Sequence, residues 1–287
     1  MPIDPSTAVG AELPATEFSW TSSDVLLYHL GLGAGSTPTD PRELRYVYER
    51  DLRVLPTFGV IAPTLRKTEA PAVSFPGIDI DLRKVLHGTQ EITVHRPIPV
   101  HGEAVLRTRV VDVFDKGSAA VIVQESNAVD PDGTPLFTTR SSIFARGEGG
   151  FGGSRGPSSR VRAPDRQPDA VVDTPTLPQQ ALLYRLCGDR NPLHADPEFA
   201  KLAGFDAPIL HGLCTYGMVC KAVVDALLDG QVDRVTGCAA RFTGVVFPGE
   251  TLRTRVWHED GRFLLTTTAV ERDEAPVLSD VVVVVNG

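Results

Sequence analysis

The residues best suited to acid–base chemistry lie close together in the second half of the chain. Asp189, Asn191 and His194 bring a carboxylate, an amide and an imidazole within six residues. Gly188 and Pro192 keep this stretch from forming a continuous helix, so a loop is predicted. In a loop, the three side chains can converge on one water molecule and move its protons. The stretch is therefore a candidate active site.

Two other interpretations fit the same residues. Asp and Asn beside Gly and Pro often make turns and caps through hydrogen bonds to their own backbone. A metal site would use His194 and His211, but neither the HxxxH nor the HxxEH spacing is present. The motif alone leaves catalysis and a structural turn open, and we expect no metal ion.

An internal repeat provides the elements that would position this loop. Leu26–Leu30 matches Leu182–Leu186 at an offset of 156 residues, and the same offset carries Asp40-Pro41 onto Asp196-Pro197. Two matches in the same register on different parts of the chain indicate two diverged copies of one unit.

A second match supports the repeat and sets the domain organisation. Gly102–Val110 aligns with Gly249–Val256 after a one-residue indel. Between the copies the chain is rich in Gly, Ser, Arg and Pro, as linkers are. Its glycines satisfy GxGxxG, but a dinucleotide loop must open a helix, and Ser, Arg, Gly and Pro follow here. We predict an N-terminal unit (1–146), a linker (147–168) and a C-terminal unit (169–287).

Hydrophobic periodicity predicts the elements of the C-terminal unit. Residues 212–230 carry apolar side chains on one helical face and end at a glycine. Alternation then predicts strands near residues 252–258, 263–270 and 277–285, joined by short turns that suit antiparallel pairing. One helix with a run of strands is an α+β unit.

The repeat also supplies an internal control for the candidate loop. The offset of 156 residues places Gly33 opposite Asp189 and Pro38 opposite His194. The first copy therefore builds the turn without an acid or a base. This favours catalysis by the second copy alone.

Composition limits the classes of partner. The chain has 287 residues, 42% hydrophobic and 22% charged, which predicts a compact soluble protein. A net charge of -8 argues against nucleic acid as a partner. The N-terminus does not resemble a secretory signal, and no apolar stretch approaches the roughly 20 residues of a membrane span. Four cysteines without metal-ligand spacing suggest reduced thiols in a cytoplasmic protein.

The motifs resemble those of one enzyme family. Residues 184–194 (YRLCGDRNPLH) and 208–213 (PILHGL) are similar to the MaoC-like, R-specific enoyl-CoA hydratase 2 family. Residues 86–90 (LHGTQ), 115–117 (DKG) and 151–153 (FGG) resemble the hydratase part of peroxisomal multifunctional enzymes. The resemblance implies a double hot-dog fold, in which each unit wraps an antiparallel sheet around a long helix.

The resemblance also implies an activity in fatty acid metabolism. A hydro-lyase of this family hydrates trans-2-enoyl-CoA reversibly to (3R)-3-hydroxyacyl-CoA. CoA is part of the substrate, so no separate cofactor is expected, and the expected assembly is a homodimer.

The family motif implies a role for eight residues. His194 would take a proton from water and Asp189 would deliver one to C2, or the two would exchange these roles, and Asn191 would orient the water or the carboxylate. The backbone N–H of Gly212, at a helix start, would stabilise the enolate oxygen. The implied substrate contacts are His87, Gly88, Lys116 and Phe242, with Lys116 pairing with a CoA phosphate.

Two alternative functions stay open from sequence. An acyl-thioester hydrolase on the same scaffold would direct water at the carbonyl and release free CoA. A non-catalytic acyl-carrier or assembly module would bind the thioester without turnover. The presence of Asp189, Asn191 and His194 together argues against that module.

Overall fold

A single antiparallel sheet of ten strands organises the chain. The structure is a computed structural model that describes residues 3–69, 74–80, 85–158 and 160–286. The strands are Thr16–Trp20 (β1), Val85–Val94 (β2), Gly102–Asp115 (β3), Ala119–Val129 (β4), Pro135–Arg146 (β5), Ala170–Pro175 (β6), Val235–Phe242 (β7), Thr251–Glu259 (β8), Arg262–Ala269 (β9) and Ala275–Val285 (β10). The helices are Pro5–Ala8 (α1), Ser22–Gly31 (α2), Pro41–Val47 (α3), Phe58–Ile61 (α4), Gln180–Tyr184 (α5), Pro197–Leu202 (α6) and Gly212–Leu227 (α7).

The order of the strands repeats in mirror image about the middle of the sheet. The order is β1-β3-β4-β5-β2-β7-β10-β9-β8-β6, so each strand of the first half has its counterpart five strands later. The halves join where β2 pairs with β7, with Thr89 opposite Arg241 and Thr93 opposite Gly237. Two copies of one unit therefore share a continuous sheet, and the predicted α+β double hot-dog class is confirmed.

The helices differ between the two units. In the second unit α7 runs for 16 residues and buries most of its first three turns. At the equivalent place in the first unit, α4 has only four residues, and a short 3-10 turn containing Pro63 follows it. Proline cannot continue a helix, so Pro63 limits the length of the helix in this segment. Tyr28 and Leu32 of the first unit share one hydrophobic core with Tyr216 of α7, so the two units fold as one body.

Helix caps follow the same repeat. The Asp40 side chain accepts a hydrogen bond from the backbone N–H of Arg42 at the start of α3. Asp196 accepts from the N–H groups of Glu198 and Phe199 at the start of α6. Each helix has proline at its first position, a preferred arrangement. The Asp-Pro pairs that the offset matched therefore begin equivalent helices.

The glycine-rich stretch lies against the end of the first unit's sheet. In the described part of residues 147–169 there is no helix or strand. The carboxylate of Asp115 accepts hydrogen bonds from the backbone N–H groups of Gly117, Gly150 and Gly152. These donors lower the pKa of Asp115. The glycine N–H groups thus bind a carboxylate of the same chain, which leaves them unavailable to a phosphate.

Among the described residues, no helix has both the length and the apolar character needed to cross a membrane. All four cysteines are free and buried.

We expect His29 to make the fold sensitive to acid. Its imidazole is fully buried, with Nδ1 donating to the carbonyl of Tyr46 and Nε2 accepting from the N–H of Leu55. Burial lowers the pKa of His29 to about 4. The unfolded chain then binds a proton that the folded chain does not, so stability is complete above about pH 6.5 and falls as the pH approaches 4. The contribution of His29 to this loss is about 3 kcal/mol.

Urea denaturation at pH 7 and pH 4.5 measures this loss. His29→Asn should be less stable than the wild type at pH 7 and should lose less stability on acidification. An equal loss in both proteins would show that other groups cause the acid sensitivity.

Candidate active site

The loop that carries Asp189 is held tightly between the two units. Gly188 ends the 3-10 turn Arg185–Cys187 with a φ of 106°, a left-handed conformation that favours glycine. A Cβ at this position would lie 1.9 Å from the carbonyl oxygen of Thr64, in the first unit. The first unit therefore packs directly on the backbone beside Asp189.

We predict that Gly188→Ala is strongly destabilising. The added Cβ meets backbone, which cannot rotate away, and the positive φ adds strain. The expected cost is about 3 kcal/mol or more in unfolding free energy. Thermal and urea unfolding measure it. Gly204→Ala is the matched control, because it has a similar positive φ of 86° but no atom within 4 Å of the added Cβ. Equal losses in the two variants would show that φ, and not contact with Thr64, sets the cost.

His194 is buried and held in one tautomer. It lies in the 3-10 turn Pro192–His194, and 8% of the residue is exposed. Its Nδ1 lies 2.8 Å from the carbonyl oxygen of Ile209, which can only accept, so Nδ1 carries the proton. Burial lowers the pKa of His194, against the opposing charge of Asp189. The ring is therefore neutral near pH 7, with an unprotonated Nε2 that can act as a base.

A second histidine lies against the first. His211 precedes α7 as its N-cap residue and is 1% exposed. Its ring stacks on that of His194 with centroids 3.7 Å apart and an angle of 26° between the planes. The ring of Tyr184 also lies close, with its centroid 5.0 Å from that of His211. The sequence suggested His211 only as a possible metal ligand, so this contact was missed.

The ligand atoms of Asp189, His194 and His211 lie within 4.8 Å of one another. A shared metal ion needs lone pairs that point at a common centre. Two nearly parallel rings instead direct their in-plane lone pairs along separate lines. The arrangement therefore suits proton transfer between neighbouring groups better than coordination of a metal.

Asn191 contributes to the loop through its side-chain oxygen. Its Oδ1 accepts a hydrogen bond from the N–H of Leu193, 3.0 Å away, and so caps the following 3-10 turn. Asp189 Oδ1 accepts from the N–H of Asn191. Both side chains thus make the turn hydrogen bonds typical of Asp and Asn. The turn interpretation therefore holds for Asn191 Oδ1, while one oxygen of Asp189 has no protein donor among the described residues.

Gly212 and two predicted substrate contacts from different strands come together beside this loop. A Cβ on Gly212 would lie 3.0 Å from the ring of Phe242 at the end of β7. That ring lies 4.7 Å from the ring of His87 on β2. Burial lowers the pKa of His87 to about 4, and the nearby charge of Asp189 partly opposes this. The wall of the site is therefore built by both units.

The other two predicted contacts lie in a separate cavity. Gly88 follows His87 at a bulge in β2. It lines a cavity of about 410 Å³, and Lys116 is part of the same lining. Arg140 and Arg241 are part of the same lining. The Lys116 ammonium donates a hydrogen bond to the carbonyl of Arg155. The structure thus places Lys116 away from Asp189 and His194, in a basic groove that begins one residue from His87.

A cavity of about 560 Å³ opens over Asp189. Both units contribute to its lining, which includes Val60, Ile61, Thr64, Tyr184, Asp189 and Leu213. The residues from the first unit come from the short helix α4, the turn after it and the charged stretch 66–69. Nothing in their sequence indicated a role, because they approach the site only through the packing of the two units.

Comparisons with known proteins agree with this geometry. Residues 18–147 match the family model described as MFE-2 hydratase 2 N-terminal domain, and residues 159–275 match the MaoC like domain. The chain belongs to the MaoC-like hydratase 2 family. Members of this family are hydro-lyases, as the sequence motifs implied.

The similarity to members of the MaoC-like family extends over whole chains. A protein of Mycobacterium tuberculosis named enoyl-CoA hydratase is 59% identical and covers 98% of this chain and of its own length. A solved MaoC-like dehydratase from Phytophthora capsici is 30% identical, with a TM-score of 0.85, over 99% of this chain and 98% of that chain. A further M. tuberculosis structure, described as a double hot-dog fold, is 15% identical with a TM-score of 0.59 over 98% of each chain, and supports the fold alone.

Proposed function

We propose that this protein reversibly hydrates trans-2-enoyl-CoA to (3R)-3-hydroxyacyl-CoA, with Asp189 and His194 as its catalytic pair. The observation that carries the proposal is the neutral imidazole of His194, which keeps Nε2 unprotonated and has a ring nitrogen within 4.8 Å of a carboxylate oxygen of Asp189. Nε2 takes a proton from water while the hydroxyl adds to C3. That proton passes from His194 to the carboxylate of Asp189, which then delivers it to C2. Both groups are then back in their starting state, and the net change is the addition of one water.

The enolate that forms needs a donor for its oxygen. Gly212 is the first residue of α7, where backbone N–H groups lack helical partners and the helix dipole is positive. We propose that the N–H of Gly212 donates to the thioester oxygen as it becomes negative. The absence of a side chain there lets the Phe242 ring, a predicted substrate contact, pack against the start of α7.

The two cavities suggest where the parts of the substrate bind. The basic groove has three cations in its lining, Lys116, Arg140 and Arg241, against the two carboxylates of Glu91 and Asp280, and this excess of positive charge suits the phosphates of CoA. The apolar part of the cavity over Asp189, formed by Val60, Ile61 and Leu213, suits an acyl chain, and the charged stretch 66–69 lines another part of it. His87 and Phe242, between the groove and the loop of Asp189, would then contact the part of the substrate near the thioester.

The experiment measures the loss of enoyl-thioester absorbance as the enzyme hydrates enoyl-CoA substrates. The acyl chains have about 4 to 16 carbons, so that they test short and long occupants of the acyl cavity. We expect hydration of all of them, with kcat/KM for the longer chains at least equal to that for the shortest, because the first unit leaves the cavity open. A strong preference for the 4-carbon substrate would contradict this use of the cavity. Release of free CoA in place of hydration would indicate a thioesterase.

The stereochemical outcome and the carrier need separate measurements. An R-specific or S-specific 3-hydroxyacyl-CoA dehydrogenase coupled to the product distinguishes the two enantiomers, and we expect only the R-specific enzyme to respond. Turnover of the same enoyl group on acyl carrier protein should be slower, because that carrier lacks the adenosine phosphates that the basic groove would bind.

The mechanism is complete with groups of the chain and the substrate, so we propose that no further cofactor is used. A homodimer and a cytoplasmic location stay predictions. Light scattering of the purified protein measures the first, and fractionation of the source cell measures the second.

A further inference from the structure

His211 contacts three parts of the site at once. Its ring stacks on His194, and its Nε2 lies 3.4 Å from the backbone carbonyl oxygen of Asp189. As the N-cap residue it also directly precedes Gly212 and the first turn of α7. The base, the acid and the oxyanion donor thus meet at one side chain that is almost fully buried.

We propose that His211 is a positioning residue, which holds the His194 ring, the Asp189 backbone and the start of α7 in register for catalysis. This inference rests on the function proposed above. His211 touches no reacting atom in this role and acts through the groups that do.

The contacts of the His194 ring explain why it needs such support. One hydrogen bond, from Nδ1 to Ile209, sets its tautomer but does not by itself hold the orientation of the ring. A flat surface 3.7 Å away restrains that orientation. The His211 ring in turn packs against the tilted ring of Tyr184, with centroids 5.0 Å apart, which helps to fix its position beside His194.

The protonation of His211 fits the same role. A carbonyl only accepts, so Nε2 of His211 carries the proton that faces Asp189. Its Nδ1 is buried and has no partner among the described residues. Burial, followed by the neighbouring His194, lowers the pKa of His211 well below the usual value. His211 therefore stays neutral while His194 gains and loses its proton.

Two substitutions separate the contacts. His211→Phe keeps a flat ring against His194 but loses the N–H donor, whereas His211→Asn loses the ring. We expect kcat of His211→Asn to fall about 10- to 100-fold with little change in KM, since small displacements of catalytic groups have effects of this size. His211→Phe should recover part of that loss. His29→Asn, which removes another buried imidazole whose hydrogen bonds are to the backbone of Tyr46 and Leu55, should leave kcat unchanged.

Nitrogen NMR of the labelled imidazoles gives a readout independent of turnover. His194 should show a single tautomer, protonated at Nδ1, in the wild type and in His211→Phe. In His211→Asn the unsupported ring can turn away from Ile209, and a mixture of tautomers should appear. Wild-type kcat and a single tautomer in His211→Asn would overturn the proposal. The proposal would also be overturned if both variants kept the wild-type tautomer of His194 and lost activity only in proportion to the fall in their melting temperature.

The pH profile distinguishes positioning from direct catalysis. The charged groups that act on His194 are Asp189 and Arg185, and neither is changed in these variants. The acid limb of kcat/KM should therefore persist in His211→Phe, and its disappearance would show that His211 is itself the base. If the wild type hydrates no enoyl-CoA, the proposed function fails, while the NMR result still tests the positioning of His194.

Discussion

Asp189→Asn is expected to lower kcat by about 10³-fold or more while the fold stays intact, in line with the usual contribution of general acid–base groups. An amide cannot donate and recover the proton that C2 requires. Asn still offers an oxygen to the N–H of Asn191, so the turn can form as in the wild type. The steady-state rate of enoyl-CoA hydration measures the loss, and the melting temperature checks the fold.

Asp196→Asn is the matched control for this prediction. Asp196 lies seven residues further along and caps α6 through its Oδ1, a role that asparagine also fills. We expect its kcat to equal that of the wild type. If Asp189→Asn kept more than about a tenth of wild-type kcat, Asp189 would not be the acid, because loss of such a group has larger effects. Its function would then be limited to the turn.

The sequence predicted those parts of the fold that depend on local patterns. Apolar spacing and a closing glycine predicted a helix over 212–230, and α7 spans Gly212–Leu227. Alternation near residues 252–258 predicted the strand observed as Thr251–Glu259. The repeat was visible because helix caps and strand starts use the same residue types in both copies. These features are set by neighbours in the chain, so a single sequence contains them.

The parts of the site that the sequence did not predict arise from contacts between distant segments. His194 and His211 are 17 residues apart and stack only because the chain returns past Ile209. His87 meets Phe242 because β2 pairs with β7, and no local pattern states which strands pair across the two units. A buried histidine directly before Gly212 was the one available signal for the role of His211.

His194→Asn is expected to lower kcat by about 10²-fold or more, because the variant has no base while the asparagine amide can still donate to Ile209. The control is His29→Asn. It removes a buried imidazole whose Nδ1 makes a hydrogen bond of the same 2.8 Å length, to the backbone carbonyl of Tyr46. Its kcat should match the wild type even if its melting temperature falls. Full activity of His194→Asn would assign the base to another group.

The pH dependence of kcat/KM in the wild type and in His194→Asn gives a second test of His194 as the base. Burial lowers the pKa of His194 below its usual 6.5. The neutral, active form therefore predominates at pH 7, and kcat/KM is lost only as the pH falls through the lowered pKa. Residual activity of His194→Asn should lack this acid limb, since the group that titrates is gone. If the limb persisted unchanged, a group other than His194 would accept the proton from water.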